Sequence, residues 1–238
     1  MRRAVKDLQH AVERRWPRLG AGSRAAVGRV RSLAADRVER RHVFELIHRE
    51  NLWGDERSRS GPGSTLEDTT AVRAALPPLL ERLSVRSLLD VPCGDFSWMS
   101  TVPLDVEYYG GDIVPGIVDD VRRRYGGPHR HFALVDLVRG PLPNADLVLC
   151  RDCLVHLSFA DIRRALHVIR ASGSTYLLTT TFRDRRANRD IPTGAWRPLD
   201  LTLPPFSLGA PLELIDERCA RAGWSDKSLG LWRVADLP

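Results

Sequence analysis

Three aspartates occur where short apolar runs end, at positions that suit the tips of strands in an α/β sheet. Asp90 closes SLLD, Asp112 closes YYGGD 22 positions later, and Asp136 follows FALV. Ligands of open α/β sheets bind just outside the carboxyl ends of the strands. A carboxylate about 20 residues beyond the first turn is placed to accept hydrogen bonds from both hydroxyls of a ribose. The spacing therefore predicts a ligand site at this edge, with a helix N-cap as the alternative role of Asp112.

The turn after Asp90, PCGDFSWM at residues 92–99, carries a single glycine, Gly94. A dinucleotide such as NAD needs a G-x-G-x-x-G turn, because the glycines let the pyrophosphate approach the helix N-terminus. The sequence has no such turn, which argues against NAD. A cofactor without a phosphate is compatible with the looser turn.

Residues 146–158, DLVLCRDCLVHLS, place Arg151, Asp152 and His156 after the predicted fourth strand, at the rim of the same site. Imidazole is the side chain whose unperturbed pKa lies near neutrality. His156 is therefore the natural general base if the reacting group of the substrate is a hydroxyl, which has to lose a proton. The alternative is a core histidine on an apolar turn. In that case Asp152 is the base, or it orients the base. If the reacting group of the substrate is a neutral amine, no strong base is needed.

A long segment, residues 179–206, follows the predicted fifth strand on the ligand side of the sheet. Loops of that length in compact domains are usually functional or disordered. Together with Trp98 of the first turn, its polar and aromatic side chains suit a polar substrate such as a sugar; a surface loop with a buried tryptophan is the alternative. The loop residues assigned to substrate binding are Asn188, Asp190, Trp196 and Arg197.

The four cysteines and the absence of a signal peptide indicate a reducing compartment, and we expect a cytoplasmic protein. The pair Cys150-x-x-Cys153 has no second pair or matching histidines for zinc and no thioredoxin-like setting. We therefore expect structural thiols at the end of a buried strand, and no metal site.

Short apolar runs alternate with helical patterns from Val85 onward, which is typical of βαβ units and a parallel sheet. The predicted strands are Ser87–Val91, Tyr108–Asp112, His131–Val135, Asp146–Cys150, Thr175–Thr180 and Ser228–Val234. The predicted helices are Val43–Leu52, Leu66–Leu83, a turn near Trp98, Pro115–Tyr125, Ser158–Ala171 behind a Ser-x-x-Asp cap, and Pro211–Ala222. Only Leu199–Leu203 is left as a candidate hairpin partner for the last strand.

The predicted fold is α/β: a Rossmann-like, mostly parallel sheet flanked by helices, with a helical N-terminal extension. We divide the chain into a basic arm at residues 1–41, helical or mobile, a helical cap or lid at 42–84, and the catalytic domain at 85–238. In the cap, Trp53 and Arg59, with Ser60 and Ser64, are placed to cover the ligand.

The net charge of +6 and the pI near 9.6 raise the question of nucleic acid. The first 41 residues hold 12 arginines or lysines against 4 acidic residues, which leaves the rest slightly acidic. Only two of the 36 cationic residues are lysines, so the arginine excess indicates genome composition rather than phosphate binding. Nucleic acid is therefore an unfavoured partner. No apolar run approaches the roughly 18 residues of a membrane span.

The strings PCGDFSWM, CRDCLVHLS, TTTF and DKSLGLW together resemble a bacterial subgroup of the class I S-adenosylmethionine-dependent methyltransferases, over roughly Trp53 to the C-terminus. Asp90 and Gly94 fit the first motif of that family. The glycines expected at Pro92 and Phe96 are absent, which lowers the specificity of this motif. The subgroup often accompanies polysaccharide or secondary-metabolite genes.

The resemblance implies S-adenosylmethionine as cofactor, with the turn against its methionine part, Asp136 near adenine and the fourth strand flanking the sulfonium. The residues assigned to the cofactor are Trp53, Arg59, Asp90, Pro92, Cys93, Gly94, Asp112, Ile113, Asp136, Leu137 and Arg151. The implied reaction is methyl transfer to a small polar molecule, foremost O-methylation of a sugar or secondary metabolite.

Two alternatives remain open: a nucleic-acid methyltransferase guided by the basic arm, and a non-catalytic binding module. Adenine-N6 enzymes carry Asn or Asp followed by Pro-Pro and an aromatic residue after the fourth strand, where this chain has Cys-Arg-Asp-Cys. Cytosine-C5 enzymes use a cysteine after proline, which here lies in the cofactor turn instead. A homodimer is compatible with the sequence.

Overall fold

The computed structural model describes residues 40–55, 58–219 and 223–238, so the basic arm lies outside the described residues except for its last two. Its helices are α1 (Arg40–Arg49), α2 (Thr70–Arg82), α3 (Pro115–Tyr125) and α4 (Phe159–Ala171). Its strands are β1 (Ser87–Asp90), β2 (Glu107–Asp112), β3 (Arg130–Leu134), β4 (Leu147–Cys150), β5 (Tyr176–Phe182), β6 (Glu213–Asp216) and β7 (Lys227–Arg233).

The seven strands form one sheet in the order β3-β2-β1-β4-β5-β7-β6. The first five are parallel, β7 pairs antiparallel to β5, and β6 pairs antiparallel to β7. The four residues of β4 are all buried, as expected for a central parallel strand covered on both faces. The α/β prediction with a mostly parallel sheet is confirmed.

Helices cover both faces of the sheet through apolar stripes at helical spacing. On one face α4 buries Ile162, Ala165 and Ile169. On the other, α2 buries Val72, Leu76 and Leu79, together with residues of α3. Each fully buried aliphatic side chain contributes about 1.5–3 kcal/mol, so these stripes hold the strand tips in fixed positions.

The predicted parallel strands and central helices agree with the structure to within one or two residues. Helix α3 has the predicted bounds, Pro115–Tyr125. Helix α4 starts as the capping pattern indicates, since the Ser158 hydroxyl accepts a hydrogen bond from the backbone N–H of Asp161 at 3.2 Å. Near Trp98 there is only a short 3-10 turn, Met99–Thr101.

The predicted last helix, Pro211–Ala222, is wrong at residues 211–219, which contain strand β6 and no helix, while residues 220–222 lie outside the described residues. Helix-forming residues such as Leu212 and Glu213 favoured the prediction, but β7 offers an open edge. The backbone N–H of Leu212 donates to the Leu231 carbonyl at 2.7 Å, and that of Glu217 donates to the Lys227 carbonyl at 3.1 Å. Satisfying this edge outweighs local propensity, so β6 is the hairpin partner that the prediction sought at Leu199–Leu203.

Two helices of the cap are shorter or shifted relative to prediction. α1 ends at Arg49 rather than Leu52, and α2 begins at Thr70 rather than Leu66. The Thr69 hydroxyl donates to the Thr65 carbonyl at 2.7 Å, a local bond typical of a turn before a helix. Among the described residues, no helix combines the length and apolar character needed to cross a membrane.

Candidate functional site

A cleft opens at the carboxyl ends of β1, β2 and β4, and it is covered by α1 and by residues 53–55 and 58–64. Its empty volume, including the part open to solvent, is about 1040 Å³. Asp90, Asp112 and Asp136 all line it, as do Arg151, Asp152 and His156. Helices α2, α3 and α4 hold the strands whose ends carry these side chains. The sheet thus brings residues from four separate stretches of sequence to one cavity.

The turn after β1 depends on Gly94. Its φ is +55°, a left-handed conformation that disfavours side chains. A Cβ there would also collide with the Ser60 hydroxyl of the covering segment. That hydroxyl accepts a hydrogen bond from the backbone N–H of Asp95 at 2.9 Å, and the Ser58 hydroxyl donates to the Asp95 carboxylate at 2.7 Å. Two hydrogen bonds therefore join the turn after β1 to the covering segment, at a position where only glycine leaves enough room.

Asp112 lies at the end of β2, 5% exposed. Its carboxylate accepts the backbone N–H of Val114 at 2.9 Å and that of Gly94 at 3.2 Å. Burial raises the pKa of Asp112 to about 6, and these two donors offset part of that rise. Each carboxylate oxygen has two acceptor sites, so both can still accept a ligand hydroxyl. The N-cap residue of α3 is Val114 and not Asp112, so the alternative role weighed from the sequence is wrong, and Asp112 instead hydrogen-bonds the two turns that border the cleft.

Asp90 ends β1 and is 2% exposed. The Tyr108 hydroxyl donates to its carboxylate at 2.6 Å. Burial raises the pKa of Asp90 to about 7, and the hydrogen bond from Tyr108 opposes the rise. A buried carboxylate with a raised pKa is stabilised in its charged form by a nearby cation, so the base of the cleft suits a positively charged ligand.

Asp136 follows β3 and is engaged by the covering helix. Arg40 donates to its carboxylate at 2.9 Å and lies 3.3 Å from the carboxylate of Asp161. Arg40, Phe44 and His48 all line the cleft, and their i, i+4, i+8 spacing places them on one face of α1. The cap therefore contributes one helix face to the cleft, and the Arg40 guanidinium links that helix to Asp136 after β3 and to Asp161 of α4.

The far end of the cleft contains four charged side chains, of which Arg151, Glu217 and Lys227 are buried and Asp152 is half-buried. Arg151 donates to the Glu217 carboxylate at 2.6 Å, and Lys227 donates to the Asp152 carboxylate at 2.6 Å. Lys227 also lies 3.2 Å from Glu217. A Cβ on Gly63 would lie 2.7 Å from the Asp152 carboxylate, so the cover approaches this group closely. Two cations and two carboxylates balance, which makes burial of the group tolerable.

Asp152 is held in an unusual backbone conformation, with φ +52°. Its backbone N–H donates to the Thr180 hydroxyl at 2.8 Å, and the Thr179 hydroxyl donates to the Cys150 carbonyl at 2.7 Å. The threonines of β5 therefore fix the turn after β4. Aspartate tolerates the left-handed region better than most residues, and strain of this kind clusters at functional sites.

His156 lies on the 3-10 turn Leu154–His156, 8% exposed, and lines the cleft. Its Nδ1 is 2.9 Å from the Ala195 carbonyl oxygen. Its ring centroid is 5.1 Å from that of Trp53, which also lines the cleft. His156 is therefore both packed in the protein and placed at the wall of the cleft.

Most of the other predicted cofactor residues are in the cleft. These are Trp53, Pro92, Cys93, Gly94, Ile113, Leu137 and Arg151, and Trp98 lines it as well. Arg59 instead borders a shallow groove beside the cleft and donates to the His48 carbonyl at 3.3 Å.

The loop residues predicted for substrate binding do not line the cleft in the part of the chain that the structure describes. Asn188 donates to the Asp200 carbonyl at 2.7 Å and accepts the Asp200 N–H at 2.9 Å. The Asp190 carboxylate accepts the Phe159 N–H at 2.7 Å. Trp196 stacks on Trp224 with ring centroids 4.7 Å apart. The loop is long and irregular, and these polar side chains form hydrogen bonds within the protein that fix its position.

Arg197 is buried, 2% exposed, and donates to two backbone carbonyls beside the cleft. The sequence predicted that Arg197 contacts the substrate. In the structure its side chain instead contacts the protein.

The four cysteines are free. Cys150 is buried and Cys153 half-buried. The Cys150 side chain beside Cys153, together with burial, raises the pKa of the Cys153 thiol, which keeps it protonated. Among the described residues, no cluster of three or more His, Cys, Asp or Glu side chains could hold a metal ion.

Sequence reasoning did not select Arg40, Phe44, His48, Glu217 or Lys227. Lys227 carried a signal: it is one of two lysines in a chain with 36 cationic residues. A lysine kept where arginine is the rule indicates a site that needs a compact charge. Glu217 and the face of α1 carried no comparable signal, since only the fold brings them to the cleft.

Comparison with solved structures matches this chain to several methyltransferases. Human N-acetylserotonin methyltransferase in complex with SAM matches at a TM-score of 0.58 and 15% identity, over 94% of this chain and 69% of that chain. The N-methyltransferase NodS from Bradyrhizobium japonicum WM9 in complex with S-adenosyl-L-homocysteine matches at 0.56 and 15% identity, over 80% of this chain and 97% of that chain. The chain has the Rossmann-like fold of these methyltransferases.

The [4+2]-cyclase SpnF also matches, at a TM-score of 0.51 and 20% identity, over 69% of this chain and 81% of that chain. No protein-family model and no curated protein sequence matches the chain. Because one fold hosts more than one reaction, the chemistry has to be argued from the cleft itself.

Proposed function

We propose that the protein binds S-adenosylmethionine in the cleft and transfers its methyl group to a small polar acceptor, foremost a hydroxyl of a sugar or secondary metabolite. The observation that carries the proposal is the convergence of Asp90, Asp112 and Asp136 from three neighbouring strands on one cavity. NodS and N-acetylserotonin methyltransferase, whose structures are described with S-adenosyl-L-homocysteine and SAM, share this fold.

The residues of the cleft fit the cofactor. Asp112 can accept hydrogen bonds from ribose hydroxyls, while buried Asp90 favours a ligand that carries positive charge. Gly94 lines the cleft, and its missing side chain leaves room for Ser60 of the covering segment. Leu137 and Ile113 supply apolar wall on the side where Asp136 lies. Bound there, S-adenosylmethionine supplies an electrophilic methyl group.

The protein's own contribution is to position the acceptor and exclude water. Alignment of reacting groups accounts for up to about 7–11 kcal/mol of a barrier. Trp53 and Trp98 give the cleft two aromatic walls, and Asp152 and His156 border it with polar groups. An aromatic face with carboxylate and imidazole beside it suits a hydroxylated ring. His156 is assigned as the group that takes the acceptor's proton, with Asp152 as the alternative.

The remaining assignments are part of the same proposal. Residues 42–84 serve as the cap, with Trp53 over the cleft and Arg59 at its outer margin, and residues 85–238 as the catalytic domain. The loop residues assigned from the sequence to substrate binding, Asn188, Asp190, Trp196 and Arg197, do not line the cleft, so the proposal gives them no direct contact with substrate. The compartment is the cytoplasm.

Calorimetry with S-adenosylmethionine and S-adenosylhomocysteine, followed by transfer of a radiolabelled methyl group to a panel of monosaccharides, glycosides and phenols, tests the proposal. Random DNA and RNA are tested separately as acceptors, with the full chain and with a chain that lacks residues 1–41. Cofactor binding with transfer to a small hydroxylated acceptor is the expected result. Absence of cofactor binding at millimolar concentration refutes it, and binding without transfer to any arm favours a non-catalytic module.

His156→Ala is the matched variant for the catalytic assignment. We expect its affinity for S-adenosylhomocysteine to stay close to that of the wild type, while turnover falls by about 10²–10⁴-fold, the usual contribution of a general base. Asp152→Asn is measured alongside. Unchanged turnover in His156→Ala removes His156 from the mechanism and leaves Asp152 as the candidate.

A further inference from the structure

The segment at residues 190–197, DIPTGAWR, makes a dense set of hydrogen bonds with the turn that carries His156. The backbone N–H of Gly194 donates to the His156 carbonyl at 2.8 Å, and that of Arg197 donates to the Val155 carbonyl at 3.1 Å. The Ser158 N–H donates to the Thr193 hydroxyl at 3.0 Å. This segment is separated from the turn by more than 30 residues, so only tertiary structure brings them together.

Arg197 forms hydrogen bonds with both ends of the turn that carries His156. One guanidinium nitrogen donates to the Leu154 carbonyl at 2.9 Å and the other donates to the Leu157 carbonyl at 2.8 Å. Burial lowers the pKa of Arg197 to about 10, at which the group is still charged at neutral pH. The planar fork of arginine suits two acceptors at once, and lysine cannot reproduce it. Burying a charge for two carbonyls costs stability, which indicates a role beyond packing.

The same segment determines which nitrogen of His156 carries hydrogen. Nδ1 lies 2.9 Å from the Ala195 carbonyl oxygen. A carbonyl oxygen only accepts, so Nδ1 must donate. The neutral ring then has its lone pair on Nε2, the nitrogen that a general base would use. The ring is also packed against Trp53, which limits its rotation.

We propose that Arg197 is a positioning residue, which holds the 190–197 segment against the turn and thereby fixes the orientation and tautomer of His156. The inference rests on the proposed function in one respect, that His156 accepts the acceptor's proton. Arg197 itself does not line the cleft. Its role is to keep the Ala195 carbonyl opposite Nδ1, so that the basic nitrogen is always Nε2.

Long-range ¹H–¹⁵N NMR of the full chain tests this without an acceptor, because it separates the two neutral tautomers of each histidine. The His156 signal is assigned by its loss in His156→Gln. In the wild type we expect the Nδ1–H form to exceed the other by at least about fivefold, the ratio that one ordinary net hydrogen bond supports. A wild-type His156 in the Nε2–H form overturns the proposal.

Arg197→Lys is the deciding variant, because it keeps the charge and most of the stem but loses the fork. We expect its tautomer ratio at His156 to fall by about fivefold towards an even mixture. Arg186→Lys, at an exposed position of the same loop, is the matched control and should leave the ratio unchanged. A wild-type ratio in Arg197→Lys shows that the arginine has no positioning role.

Calorimetry with S-adenosylhomocysteine on the same samples separates this inference from the proposed function. Arg197→Lys should bind within about twofold of the wild type, because Arg197 lies outside the cleft. If the wild type binds no cofactor, the proposed function fails while the tautomer result still decides the role of Arg197. Once an acceptor is found, kcat of Arg197→Lys should fall by up to about 100-fold, with little change in KM for the cofactor.

Discussion

Replacing Asp112 by asparagine removes a buried negative charge from the cleft and changes little else. The wild-type carboxylate accepts backbone N–H groups from Val114 and Gly94 at 2.9 and 3.2 Å. The amide keeps one oxygen, which can still accept the Val114 N–H. Its NH₂ group faces the Gly94 N–H, so one local hydrogen bond is lost along with the charge-assisted bonds to a ligand.

The size of the effect follows from those bonds. A hydrogen bond to a charged group contributes about 1.5–3 kcal/mol, compared with 0.5–1.5 kcal/mol for a neutral pair. One charge-assisted bond is lost and the other becomes a neutral bond, so the net loss for two ribose hydroxyls is about 2.5–4.5 kcal/mol. We therefore expect S-adenosylhomocysteine to bind Asp112→Asn roughly 60-fold to 1,600-fold more weakly.

The pH dependence provides an independent signature. Burial raises the pKa of Asp112 to about 6, so the free protein holds a proton there below that pH. A ligand that needs the charged form must displace this proton, and wild-type affinity should fall about tenfold per pH unit below about 6. Asp112→Asn should lack this step. Asp90, whose pKa burial raises to about 7, contributes a step nearer neutrality in both proteins.

Linkage also determines the sign for stability. The unfolded chain releases the Asp112 proton near pH 4, whereas the free folded protein retains it up to about pH 6. The folded state binds more protons in this window, so Asp112 makes the free protein less stable as pH rises from about 4 to about 6. Asp112→Asn should lose that part of the pH dependence.

Calorimetric titration with S-adenosylhomocysteine from pH 5 to 8 measures both affinity effects. Asp119→Asn, at an exposed position of α3, serves as the control and should match the wild type at every pH. Equal affinity of Asp112→Asn and wild type at pH 8 would refute the assignment of Asp112 to the ligand. Persistence of the step near pH 6 in the variant would assign that proton to another group.

Two further perturbations test the framework of the cleft by thermal and denaturant unfolding. Gly94→Ala should lower the free energy of unfolding by about 1–2 kcal/mol for the left-handed backbone alone, and by more because the Cβ meets Ser60. Adding Ser60→Gly should recover the collision component, whereas Gly116→Ala, whose Cβ would meet nothing within 4 Å, should be close to neutral. Lys227→Met leaves the buried carboxylate of Glu217 and the half-buried carboxylate of Asp152 with one cation fewer, and it should cost about 3–5 kcal/mol, a fall in Tm on the order of 10 °C. Removal of the exposed ion pair of Arg82 in Arg82→Met should cost at most about 1 kcal/mol, and a loss equal to that of Lys227→Met would contradict the argument from burial.

The sequence alone determined the parallel part of the sheet and the strand tips at the cleft. Apolar runs such as LVLC at β4 and the repeated placement of Asp90, Asp112 and Asp136 are local features. A residue at the carboxyl end of a parallel strand lies at the ligand edge of the sheet whatever the rest of the chain does. The strand-end residues that line the cleft could therefore be predicted from the sequence, whereas Arg59, which was assigned with them, lies outside the cleft.

Only the tertiary structure decided the charged far end of the cleft. Residues 213–216 have helix-forming neighbours, yet they form β6 because β7 needs a partner for its backbone. That hairpin brings Glu217 and Lys227 against Arg151 and Asp152, which lie 66 and 75 residues away along the chain. Buried charges are tolerated only when a partner is in place, and no local pattern in the sequence specifies a partner so distant.

The 190–197 segment shows the same division. Its polar and aromatic residues indicated a role near the substrate, but the side chain of Arg197 is directed at backbone carbonyls of the turn that carries His156. Residue types determine which hydrogen bonds a side chain is able to make. Which of the available acceptors it meets depends on how the sheet and the loop pack, because burial leaves each polar group to find its partner within the protein.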